Sequence, residues 1–163
     1  MEQNDRTNRD NIYEMLNQPT HNWQEVLSAI LSSFDCTTGT IHFLEPHTSM
    51  LKLEAHQGIP EFLIPKLSEI PVGKGMAGIA AERRQPVEMC NLQTDASGIA
   101  RPAAKETRVE GSIAVPMMLG GILYGTLGVA KSIPYNFSQE EVGDLVNIGM
   151  EISRLISRHN AKG

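Results

Sequence analysis

The chain has 163 residues, 40% of them hydrophobic and only 5% aromatic, which makes one domain with a single core and leaves no room for a second catalytic or DNA-binding module. Fourteen Lys and Arg against nineteen Asp and Glu give a net charge of −5, and this balance excludes a nucleic-acid partner, because phosphate contact needs a basic patch. Cys36 and Cys90 form no CxxC pair, so neither a disulfide scaffold nor a zinc knuckle is indicated, and with no apolar stretch in Met1 to Arg9 to act as a signal peptide a cytoplasmic location is expected.

Residues 1–10 are polar, and Ile12, Met15 and Leu16 mark a short amphipathic helix that stops before Pro19. Residues 1–21 are therefore expected as a flexible arm whose short helix docks on a partner. Trp23, Val26, Leu27, Ile30, Leu31 and Phe34 share one face of the next helix, and Asn22 with Glu25 is spaced as its capping box. From Thr37 the period changes to two: Gly39, Ile41 and Phe43 alternate with Thr40, His42 and Leu44, and Leu51, Leu53 and Ala55 with Lys52, Glu54 and His56. Glu45 to Ser49 is turn chemistry between them, so the pair reads as an antiparallel hairpin.

Pro60 to Leu67 reads as a short helix opened by proline. The glycine-rich run from Ile70 to Gly78 leads into a helix ending near Arg84, and Pro86 to Met89 is a short strand. Asn91 to Val109 has no sustained period, and so long an irregular segment in a small domain is expected to serve function. Ser112 to Met118 and Ile122 to Lys131 are two strands around Gly120-Gly121, apolar on both faces as in a covered sheet. The uncharged stretch Gly111 to Ala130 is as long as a membrane span, but its proline and glycines suit two strands and a turn. The last helix runs from Gln139 to about His159, with Ser138 and Glu141 as a capping box and Phe137 and Val142 as a hydrophobic staple.

Thr38 to Leu44, Ile70 to Gly78, Ser112 to Pro116, Tyr124 to Val129 and Phe137 to Glu141, in this order and spacing across Asn22 to His159, resemble a GAF domain. The resemblance implies one GAF-like α+β domain over residues 22–160, related in shape to profilin and PAS domains. It implies a central antiparallel sheet of five to six strands, terminal helices on one face, and small helices with a loop over a pocket on the other. It also implies a regulatory module that binds a small molecule such as a cyclic nucleotide, a tetrapyrrole or 2-oxoglutarate, and that dimerises through its terminal helices.

The subfamily signatures divide further. Cyclic-nucleotide relatives carry Asn-Lys, Phe and Asp-Glu after the last strand, where this chain has Ala130-Lys131, Phe137 and Glu140-Glu141. Bilin-binding relatives attach the chromophore through a cysteine often followed by histidine, whereas Cys90 precedes Asn91. Enzymatic relatives reduce free methionine sulfoxide with two or three cysteines, one of them in the segment that here reads Gly75 to Gly78, with Ala77 in the thiol's place.

Within this frame the expected ligand-binding residues are Phe43, Met76, Met89 and Met117, whose adaptable or apolar side chains suit a cavity wall. Arg101, Lys105 and Arg108 are expected at the pocket mouth against an anionic ligand. The plainer alternatives are core methionines and a solvated loop. Gly73-Lys74-Gly75 precedes a helix, as an anion cradle does, but lacks the rest of the Walker pattern and reads first as a turn. His42, Glu54 and His56 are read as the outer polar face of the hairpin in preference to a metal site. Leu145, Ile148, Ile152 and Leu155 repeat at 3, 4, 3, the spacing of a helix pair, which predicts a homodimer; the competing reading is a single broad face packed on the sheet.

The function expected is a small-molecule sensor and not a catalyst. No cofactor is named, and with nearly all of the chain absorbed by the one domain, signalling is expected through a partner protein. The alternatives are a thiol-dependent reductase of a small oxidised metabolite using Cys36 or Cys90, and a structural dimerisation module without a ligand.

Overall fold

The computed structural model describes residues 2–94, 99, 105 and 107–162. Helices α1 (Glu2–Leu16) and α2 (Trp23–Ser33) precede a hairpin of β1 (Thr38–Glu45) and β2 (Met50–Gln57). A 3-10 turn over Glu61–Leu63, α3 (Ile64–Leu67), β3 (Glu69–Pro71), α4 (Gly75–Arg83) and β4 (Val87–Met89) follow. A second hairpin, β5 (Ser112–Leu119) and β6 (Ile122–Ala130), leads to the long α5 (Gln139–Lys162). The six strands form one antiparallel sheet in the order β3-β2-β1-β6-β5-β4, so the two hairpins meet at β1 and β6 in its centre.

Local chemistry sets the ends of these elements. Asn22 Oδ1 accepts from the N–H groups of Gln24 at 3.1 Å and Glu25 at 3.2 Å, which caps α2. At α5 the capping is reciprocal: Ser138 N–H donates to Glu141 Oε1 at 2.9 Å and Glu141 N–H to Ser138 Oγ at 3.1 Å. Gly120 and Gly121 hold φ of 57° and 79°, the two positive values that a tight primed hairpin turn needs. Strand β3 had no sequence signal because three residues are too few to show a period; its proline is tolerated because β3 is the sheet edge.

The two faces of the sheet pack differently. On one, Ile41, Val115, Met117, Leu127 and Val129 meet Leu27, Ile30 and Leu31 of α2 and Leu145, Ile148 and Ile152 of α5. On the other, α3 and α4 cover smaller clusters built on Leu51, Ile70 and Ala81 and on Ala80, Val87 and Ala114.

Two expectations are corrected by this packing. Helix α1 is not a short piece offered to a partner: Ile12 and Leu16 are buried in the main core. Arg9 of the same helix pairs with Asp144 and lies 4.6 Å over the Phe34 ring, and Asn147 donates to the Tyr13 hydroxyl at 2.6 Å, so α1 is clasped to α2 and α5. Leu145, Ile148 and Ile152, with 1%, 0% and 0% exposure, are the sheet-facing stripe of α5, and Leu155 packs at the edge of the same core. The predicted homodimer seam is thus spent on the chain's own sheet, because a helix resting on a sheet needs the same apolar spacing as one resting on another helix. Among the described residues no helix is long and apolar enough to cross a membrane.

Candidate functional site

A cavity of about 440 Å³ opens between the second face of the sheet and the α3–α4 region. Its floor comes from strand positions that alternate with the core. On β1, Ile41 faces the helices, which turns Thr38, Thr40 and His42 toward the cavity; on β6, Leu127 and Val129 face the helices, which turns Gly128 and Ala130 toward it. Gly128 has no side chain, and the space it leaves is part of the cavity. Ser112 and Ala114 of β5 complete the floor, and Ile59, Leu67 and Val109 supply apolar walls.

His42 is 1% exposed. Its Nε2 lies 2.9 Å from the carbonyl oxygen of Leu67, which can only accept, so Nε2 carries the proton. Burial pushes the pKa of the ring below the ordinary histidine range, against a smaller opposite effect of that hydrogen bond, and the imidazole is neutral. Nδ1 is therefore a buried acceptor, and it has no hydrogen-bond partner among the described residues. The expectation of a common outer polar face for His42, Glu54 and His56 is corrected: His42 is buried, whereas Glu54 is exposed where the β1–β2 register shifts. Among the described residues no group of three His, Cys, Asp or Glu side chains converges as a metal site.

The start of α4 forms the opposite wall. Gly75, Met76 and Ala77 line the cavity, and the first helical hydrogen bond is that of Gly78 N–H to Lys74 O at 3.1 Å. The three preceding N–H groups have no acceptor within the helix. Lys74 stands at the cap without a side-chain capping bond, and Gly75 takes φ of 68°, a value glycine reaches without strain. Among the described lining residues none is acidic, and Lys66 is the one formal charge.

The sequence-predicted site residues divide accordingly. Met76 lines the cavity, and Met89 packs behind it against Val109 and Ala130. Phe43 and Met117 do not belong there: Phe43 meets Trp23 edge-on with ring centroids 5.4 Å apart, and Met117 is fully buried on the helix-covered face. Both lie an even number of residues from a core position, so strand alternation sends them to the core. The backbone carbonyl of Lys105 accepts from the Gln93 amide at 2.9 Å, and Arg108 is exposed with φ of 63°; neither borders the cavity. Arg101 lies outside the described residues. The residues missed were Thr38, Thr40, His42 and Ser112, and the signal available was that polar and small residues occupy alternate positions of two central strands.

Neither cysteine lines the cavity. The thiol of Cys36 donates to Phe34 O at 3.5 Å, and burial pushes its pKa up to about 11 despite the attraction of Lys131. Cys90 is exposed just past β4.

Among solved structures, the fold is similar to the GAF domain of a phosphoenolpyruvate-protein phosphotransferase (ptsP) from Coxiella burnetii, with TM-score 0.83, 21% identity, and 99% of this chain and 97% of that one covered. It is also similar to the GAF domain of an Acinetobacter phosphoenolpyruvate-protein phosphotransferase, with TM-score 0.79, 19% identity, and 96% and 95% covered. A third likeness is to the free methionine-R-sulfoxide reductase of Neisseria meningitidis in complex with its substrate, with TM-score 0.75, 16% identity, and 92% and 86% covered. At these identities the likeness shows the fold. No curated protein matches the sequence. The expectation that the chain is not a catalyst is corrected by the third structure, since an enzyme shares this fold along most of its length and the architecture gives no ground for excluding catalysis. A family model described as GAF domain matches residues 23–157, and with the sheet order, the two helical layers and the cavity already in place, the chain belongs to the GAF domain family.

Proposed function

We propose that the chain is a sensory module that binds a small molecule in the cavity between the sheet and α4 and passes the occupancy to a partner protein. The observation that carries this reading is a cavity of about 440 Å³, within the range of small-molecule sites, whose apolar walls are joined by the polar residues Thr38, Thr40 and Ser112. A route from cavity to surface supports it. Val109 borders the cavity, and next to it Glu110 N–H donates to Lys131 O at 2.8 Å. The Nζ of the same Lys131 donates to Phe34 O at 2.8 Å and Asp35 O at 3.1 Å, at the C-terminal end of α2. A ligand that favours one arrangement of the 109–111 wall biases the helix ends to the extent of its differential affinity.

The test is a thermal-shift screen of small metabolites on the wild type and on Gly128→Val, whose added side chain fills the cavity floor. A Cβ at Gly128 meets Thr40 Oγ1 at 3.3 Å and lies in ordinary contact with Ile113 O at 3.8 Å. A ligand at a hundred times its Kd adds about 2.7 kcal/mol, a shift expected in the wild type and absent in the variant. Equal shifts in both proteins overturn the reading.

A second reading, reduction of a small oxidised metabolite such as free methionine sulfoxide, is favoured by the reductase that shares the fold with its substrate bound. It requires turnover with a thiol reductant that disappears in Cys90→Ser or Cys36→Ser, and turnover unchanged in both variants removes it.

A further inference from the structure

The free edge of the sheet at β2 ends on a side chain and not on a strand. Strand β3 pairs with Met50, Leu51 and Lys52 of β2, and Leu53 N–H still reaches Ser68 O at 2.9 Å. Strand β2 runs on to Gln57, so residues 54–57 have β1 on one side and no strand on the other. An antiparallel strand turns the N–H and C=O of alternate residues to the same side. At His56 both groups point away from β1, because both are taken by Gln24: His56 N–H donates to Gln24 Oε1 at 3.1 Å, and Gln24 Nε2 donates to His56 O. The two partners fix the orientation of the amide, since only its oxygen accepts and only its nitrogen donates.

This pair of hydrogen bonds is the one that two residues of paired antiparallel strands exchange. Gln24 thus stands where the backbone of a seventh strand would begin. Its place is set in advance. It is the second residue of α2, and the Asn22 cap holds its own N–H at 3.1 Å. The side chain is exposed, and water satisfies backbone groups at such a position as well. Holding a long side chain still costs rotamer freedom, so what the amide adds over water is occupation of the edge. Beyond the register shift at Glu54, residues 55–57 carry neither lysine nor proline, the residues that usually blunt an edge. On β3 that part is played by Pro71.

We infer that Gln24 is a plug that closes the free edge of β2 against strand addition by a second copy of this chain. With the amide removed, two β2 edges pair antiparallel about a two-fold axis with His56 opposite His56, since each then offers the donor and the acceptor that the other lacks.

Amide hydrogen exchange and sedimentation velocity on wild type, Gln24→Ala and Gln24→Lys test this. In wild type His56 N–H is expected to exchange slowly at every concentration. In dilute Gln24→Ala its exchange is expected to speed up at least about tenfold, while Leu53 N–H, held by Ser68 O, keeps wild-type protection and reports an intact fold. As concentration rises, Gln24→Ala is expected to form a species larger than wild type at the same concentration, and the protection of His56 to return with it. Gln24→Lys removes the same bonds but leaves a charge at the edge, so His56 is expected to exchange fast at every concentration and the mass to stay that of wild type. Unchanged exchange at His56 in dilute Gln24→Ala shows that the amide does not hold the edge, and a wild-type mass at every concentration shows that it excludes no partner; either result overturns the inference. A larger species in which His56 stays unprotected, or one that Gln24→Lys forms equally, overturns it too, because the contact then lies elsewhere.

Discussion

The buried imidazole of His42 makes the stability of this protein sensitive to mild acid in a way that one substitution isolates. In the unfolded chain the ring titrates near the usual value of about 6.5; in the folded chain burial holds the pKa lower. Above about pH 6.5 the ring is neutral in both states and contributes no pH dependence. As pH falls below that value the unfolded state takes up a proton that the folded state refuses, so stability is lost, until pH reaches the folded pKa and the loss stops. The slope is at most about 1.4 kcal/mol per pH unit, which for a domain of this size moves the midpoint about 3 to 5 °C per unit. Urea unfolding of wild type and His42→Leu between pH 7.5 and about pH 5 measures it, with the difference between the curves free of every other titrating group. At neutral pH the variant leaves Leu67 O without its donor but also removes the unpartnered Nδ1, two opposed effects of similar size. The stability gap is therefore expected to move in favour of the variant as pH falls. Parallel curves, or a wild type that gains on the variant in acid, refute the neutral, acid-resistant imidazole.

Three further outcomes follow from the packing. Ile12→Ala removes a fully buried side chain from the interface of α1 with α2 and is expected to cost about 2 to 5 kcal/mol in urea unfolding, whereas an arm outside the core would cost almost nothing. Lys131→Met leaves the carbonyls of Phe34 and Asp35 without their charged donor at the end of α2, and an expected loss of about 1 to 3 kcal/mol is checked in the same assay. A thiol reagent applied to the native protein at pH 8 is expected to label the exposed Cys90 quickly and Cys36 only after denaturation, since about one part in a thousand of a thiol titrating near 11 is thiolate at that pH. Equal labelling rates contradict the burial of Cys36.

The parts of the fold that the sequence made legible are those where local chemistry and periodicity agree. Asn22, Ser138 and Glu141 cap the helices they were expected to cap, and the Gly120-Gly121 turn joins the two strands expected on either side of it. Strand β3 and the true extent of α1 were hidden for different reasons. Three residues carry no period, and the polar first part of α1 gives no amphipathic signal of its own, although Ile12 and Leu16 hold its end in the core.

The misreadings of the site share one cause: periodicity reports which residues lie on a common face but does not identify what that face meets. The stripe of Leu145, Ile148 and Ile152 fits a second helix and fits the sheet, and it lies on the sheet because β5 and β6 present Val115, Met117, Leu127 and Val129 toward it. The same strands decide His42. Once the apolar set of β1 and β6 is used by α2 and α5, the alternate set of Thr38, Thr40, His42 and Gly128 must lie on the face that α4 covers. Polar residues that read as a solvated surface in isolation are, in this topology, the wall of a cavity. A histidine there, with one nitrogen bonded and the other without a partner among the described residues, differs from one in a solvated loop because the second nitrogen is buried out of reach of water. The chemistry of the site thus lies in the polar half of a strand pattern whose apolar half builds the core.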